Sequence, residues 1–129
     1  MTISKGLFIP WDDMKPIEIK DFNDEDQYGM VKAVFPHENG DDFIISTSSF
    51  RHAGAQLWYD DLGSYNQRAH INMRAMKLWG YLAGRHDFTQ YLYGDFFAIG
   101  LDDVGETVDV PDRVKNFFAE ENIHLLSGD

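Results

Sequence analysis

Two tetrapeptides of one chemistry, Asp60-Asp61-Leu62-Gly63 and Asp102-Asp103-Val104-Gly105, adjoin two runs of strand-forming residues, "AQLWY" and "FFAIGL". In each, the leading Asp can accept hydrogen bonds from backbone amides just beyond it, and the Gly supplies the left-handed residue that closes a tight turn. Both are read as hairpin turns. With "GLFIP", "KPIEIK" and "FIISTSSF", whose β-branched and aromatic residues suit a pleated surface, they commit much of the chain to short strands. Neither copy has the alternating oxygen ligands and distal Glu of a calcium loop, so the repetition is turn chemistry.

Three segments have helical character instead. In 23–36, "NDEDQYGMVKAVFP", Asn23 or Asp24 can cap a helix, Tyr28, Val31, Val34 and Phe35 share a face, and Pro36 ends it. Around 70–83, Ile71, Ala75, Leu78, Trp79 and Leu82 fall on one side, with Gly80 and Gly84 predicting a frayed end. "PDRVKNFFAEEN" places Pro111 in a first turn and turns Val114, Phe117 and Phe118 inward. The expected fold class is α+β: one domain spanning 1–129, with an antiparallel or mixed sheet of five to seven strands and about three helices in the order ββα ββα ββα. A chain of 129 residues, 43% hydrophobic and 15% aromatic, has apolar surface enough for one core.

The charge is −11 overall and unevenly placed: −7 over residues 1–64, −6 over 101–129, and +2 over 65–100, where Arg68, Arg74, Lys77 and Arg85 face only Asp87 and Asp95. Such a balance repels nucleic-acid phosphates and anionic lipid and steers toward basic partners, so no direct nucleic-acid or membrane binding is expected. The N-terminal apolar run is cut by Pro10 and followed by Asp12 and Asp13, which denies it a signal-peptide core, and no later run reaches the roughly 18 apolar residues of a membrane span. With no cysteine, a cytoplasmic setting is expected.

Catalytic signatures are missing. The histidines at 37, 52, 70, 86 and 124 show no metal-binding spacing, and neither metal nor cofactor is expected. "STSSF" has no nucleophile elbow around it, "RHD" at 85–87 reads as loop, and the many acidic pairs would suit any two-carboxylate proposal and so favour none. The reading is therefore non-enzymatic, with no catalytic residue.

One candidate site emerges from the helical stretch. His70, Arg74, Lys77 and Tyr81 share one side at 100° per residue, a cationic stripe with an aromatic beside it. Asn72 at the helix start can cap the amide of Arg74 or Ala75, and the free N–H groups there, with Arg74 and Lys77 one turn in, would favour an anion or a nucleotide.

"YDDLG", "INMRAMKLW", "YGDFFAIG" and "VDVP" together resemble a small family of uncharacterised domains found in phages and in bacteria, often actinobacterial. Its members run strand, Asp/Glu-Gly turn, Asn-x-x-Ala helix start, and a Gly-Asp/Asn strand ending in Gly. The matching positions are Asp60 to Gly63, Asn72 and Ala75, and Gly94, Asp95 and Gly100, within residues 3–115. The resemblance implies a phage or mobile-element accessory protein and brings no activity with it. The expected function is thus a small acidic binding protein that engages a basic surface on a host protein, as an inhibitor, DNA mimic or anti-defence protein. The alternatives are a small-anion or nucleotide binder using the helix stripe, and an immunity protein or antitoxin.

Overall fold

The computed structural model describes residues 3–23, 25, 45–60, 70–85, 90–120 and 125–127. In chain order these form β1 (Ile3–Ile9), β2 (Ile17–Asn23), β3 (Ile45–Phe50), a short 3₁₀ turn (Arg51–Ala53), β4 (Ala55–Asp60), α1 (Met73–Ala83), β5 (Phe96–Leu101), β6 (Thr107–Val108), α2 (Asp112–Glu120) and β7 (Leu125–Ser127). All seven strands belong to one sheet, ordered β3-β4-β5-β1-β2-β7, with β6 paired to β5. Six strands join through antiparallel pairs, and β7 lies parallel to β2. The α+β expectation holds in this form. Two helices stand among the described residues where about three were expected; the helix read over 23–36 lies outside them apart from Asn23 and Glu25.

Strand periodicity divides the side chains between two faces. Leu57, Ala98, Leu7 and Ile19 stand opposite one another across β4, β5, β1 and β2, and this row packs with Leu78, Leu82, Val114 and Phe118 of the helices into the main core. Shifting one residue along each strand gives the other face, where Phe22, Trp58, Phe97 and Ile99 form a second cluster with Phe8 and Ile45 packed against it. Each fully buried Leu, Ile or Phe contributes about 1.5–3 kcal/mol, so both faces of the central β5 stabilise the fold.

The two acidic tetrapeptides have different outcomes. Asp102 Oδ1 accepts from Val104 N at 3.0 Å and Glu106 N at 2.8 Å, and Gly105 takes φ +85°, so 102–105 closes the β5–β6 hairpin. At 60–63 the hairpin expectation is corrected. β4 already has β3 on one side and β5 on the other, which leaves no edge for a strand returning directly from Asp60. Residues 61–63 themselves lie outside the described residues. The expected fraying of α1 is also corrected: Gly84 adopts φ +67°, its N–H bonds Tyr81 O, and Arg85 N bonds Gly80 O at 2.8 Å, a paired closure of the last turn.

Candidate functional site at the start of the first helix

α1 begins where a short bridge pairs Ile71 with Tyr93 and the amide of Asn72 donates to Leu92 O at 2.8 Å. Asn72 is fully buried and uses its whole side chain. Its Oδ1 accepts from Ala75 N at 2.9 Å as the helix cap, while Nδ2 donates to Ile9 O at 3.0 Å and Gly94 O at 2.9 Å. The cap falls on the Ala75 amide, one of the two that the sequence offers. The two carbonyls tie the helix start to the end of β1 and to the approach to β5.

Arg74, one turn in, is only 7% exposed. Its Nη2 donates to Pro10 O at 2.7 Å and Asp12 O at 2.9 Å, and Nη1 to Lys15 O at 2.9 Å. These three carbonyls belong to the loop that joins β1 to β2. Asp13 Oδ1 lies 3.5 Å from Nε, an ion pair without the geometry of a hydrogen bond, so Nε is buried without such a partner. Burial pulls the guanidinium's pKa down, and the charges of Asp13, Asp12 and Asp95 oppose that shift. The charge is thus enclosed by the protein's own loop.

The same loop is held at a second point. Asp95 Oδ1 accepts from Trp11 N at 2.9 Å, and the Trp11 ring stacks on His70 with centroids 3.8 Å apart and planes at 17°. Burial raises the Asp95 pKa, against the bond from Trp11 and the fields of Lys15, His70 and Lys20. Gly94, at φ +81°, donates its N–H to His70 O at 2.9 Å. Residues 70–74 and 92–95 therefore close on the 9–15 segment as one polar corner.

The four stripe residues occupy separate environments. His70 is half-buried against Trp11, and Arg74 is directed into the loop. Lys77 is exposed, and Tyr81, 46% exposed, stacks on Phe117 of α2 at 4.8 Å and 22°. Arg74 does not join Lys77 and Tyr81 in presenting a solvent-facing surface. Trp11 and Asp95 belong to this corner although the sequence reading of the stripe left them out; the Gly94-Asp95 pair within the family-like strand pattern was the available signal.

No protein-family model matches the chain, and comparison with curated proteins and with solved structures gives no match.

Proposed function

We propose that this chain is a small, non-enzymatic acidic protein that binds a basic surface on another protein, in the manner of a mobile-element inhibitor. The observation that supports this reading is a ridge of carboxylates. Residues 101–112 contain Asp102, Asp103, Glu106, Asp109 and Asp112 with no Lys or Arg among them, and all five are exposed. The ridge runs from the β5–β6 turn past β1, where Asp109 Oδ1 accepts from Lys5 N at 2.8 Å, to the first residue of α2. Lys115 pairs with Asp112 at 3.2 Å across an exposed surface, where water and salt leave such a pair little net strength. A chain of charge −11 with this ridge attracts a cationic surface at long range.

The anion-binding alternative is less well supported, because Arg74 spends its Nη donors on backbone carbonyls and Asp13 pairs with its Nε side at 3.5 Å.

Immobilised protein exposed to host lysate should retain a discrete basic protein at low salt and release it as salt shortens the Debye length from about 10 Å at 0.1 M. Asp102→Asn/Asp103→Asn/Glu106→Gln should retain far less of it. Equal retention by wild type and the neutralised variant, or no retention by either, would remove this reading.

A further inference from the structure

The 11–15 loop is fastened in three ways that differ in chemistry. Arg74 donates to Pro10 O, Asp12 O and Lys15 O from a guanidinium, a group that keeps its charge throughout the ordinary pH range. The Trp11 amide donates to Asp95 Oδ1 at 2.9 Å. The Trp11 ring lies on the His70 ring, centroids 3.8 Å apart and planes at 17°. That third fastening contains a histidine, the side chain whose ordinary titration falls between about pH 5 and 8. The histidine is also fixed in place: His70 O accepts from Gly94 N at 2.9 Å, and Asn72, two residues on, is locked by its cap and its two carbonyls.

A proton on this imidazole changes what the stack is. Neutral, the two rings share dispersion contact alone. Protonated, the imidazole becomes a cation over the face of indole, the ring that attracts cations best, well inside the roughly 6 Å at which that attraction operates. The titratable and charged groups of the corner are Asp12, Asp13 and Lys15 on the loop, Lys20 on β2, Arg74 on α1, and Asp95 with the Tyr93 phenol on the approach to β5. Asp95 and His70 lie within each other's field, so the carboxylate that holds the Trp11 amide also favours the imidazolium. The Arg74 charge is already met by three carbonyls and Asp13, and Lys15 is exposed to screening by water. His70 is half-buried, so its cation keeps part of its hydration.

We propose that the Trp11–His70 stack is a proton-operated clasp on the 11–15 loop: protonation of His70 tightens the loop against the start of α1, and loss of that proton loosens it. The clasp works whether or not the acidic ridge binds a partner. The added hold is present on the acid side of the histidine range and gone on the alkaline side.

Amide exchange in the full chain, corrected for intrinsic rates, tests this at Trp11 and at Lys15, whose N–H bonds Asp12 O. Protection of both should be about two- to fivefold greater near pH 5.5 than near pH 8, the factor expected of a partly exposed cation on an aromatic face. His70→Phe keeps a ring for Trp11 and has no proton to gain, so its protection should not rise in acid. Asp95 is a rival source of the effect, because burial makes its carboxyl favour the proton as well. In Asp95→Asn the rise should therefore persist, since indole still faces the imidazolium. A flat profile in wild type, a rise that survives His70→Phe, or a rise lost in Asp95→Asn each overturns the proposal. Wild type alone gives a second reading that needs no variant to fold: the Trp11 indole N–H and His70 ring resonances should move with one shared midpoint, and separate midpoints overturn the clasp.

Discussion

Asn72 Nδ2 and Ile9 O, 63 positions apart in the chain, meet at 3.0 Å inside the protein, and the same amide nitrogen reaches Gly94 O at 2.9 Å. One buried side chain therefore joins the end of β1, the start of α1 and the approach to β5, while its oxygen caps Ala75 N. Losing the cap costs about 1 kcal/mol, and stranding a buried carbonyl costs about 1–3 kcal/mol. Asn72→Ala should accordingly destabilise the fold by about 2–4 kcal/mol in urea unfolding. Asn72→Ser keeps a capping oxygen and gives up the two donors, so it should recover only the cap. Full recovery by Ser would mean that the carbonyl bonds contribute nothing.

Arg74 makes a separate case, because its partners need a planar fork. A lysine ammonium at that position is a single point and cannot reproduce the spread of donors that meets Pro10 O, Asp12 O and Lys15 O. Arg74→Lys and Arg74→Met are both expected to lose about 2–4 kcal/mol, since bonds from charged donors are worth about 1.5–3 kcal/mol and the loop carbonyls lose their partner. Amide hydrogen exchange across residues 11–15, between Pro10 and Pro16, should quicken in both variants more than in β4 or β5. A stable Arg74→Lys protein with unchanged exchange would show that the fork is dispensable.

The corner also explains which parts of the fold could be read in advance. The apolar spacing of α1, the Asn72 cap and the 102–105 turn are local signals, carried by neighbouring residues, and each was legible. The burial of Arg74 was not, because its partners are backbone carbonyls 59 to 64 positions away, and a carbonyl leaves no mark on residue identity. On a helix wheel Arg74 reads as one of a cationic stripe; only the fold brings the β1–β2 loop over it. The parallel strand β7 escaped for a different reason, since three residues, Leu125–Ser127, are too few to show a period. The hairpin expected at 60–63 failed because turn chemistry fixes a local bend and says nothing about which sheet edges are already occupied.

A pH dependence follows from Asp95. Burial raises its pKa in the folded protein above the ordinary aspartate value of 3.8, so the native state holds this proton more tightly than the unfolded chain does. Stability from this group is therefore greatest below 3.8 and declines as pH rises from there through the raised folded value, beyond which the full cost of the buried charge is present. Asp95→Asn keeps an oxygen for the Trp11 amide and has no charge to bury. The difference in unfolding free energy, wild type minus Asp95→Asn, should fall with rising pH across the acid range and level off toward neutrality. A difference that rises with pH over that range would reverse the assignment and show that the Trp11 bond and the nearby cations outweigh burial.

The two glycines at Gly100 and Gly84 separate steric crowding from backbone strain. A Cβ on Gly100 would sit 2.0 Å from Asp109 O and 3.1 Å from a Val108 methyl, so the β5–β6 crossing accepts only hydrogen there. The nearest obstacle is backbone, which cannot swing aside as a side chain can. Gly84 has open space around it but holds φ +67°, where an L-residue is strained by about 1–2 kcal/mol. Gly100→Ala should cost at least the 1–3 kcal/mol typical of overpacking and should loosen β6, seen as faster exchange at the Asp102 amide, which donates to Glu106 O across the β5–β6 turn. Gly84→Ala should cost about 1 kcal/mol, and Gly84→Asn less than that, because Asn tolerates the left-handed region that closes α1. Equal losses for Gly100→Ala and Gly84→Ala, with β6 exchange unchanged, would mean that Asp109 can move away and that the crossing is not held by its missing side chain.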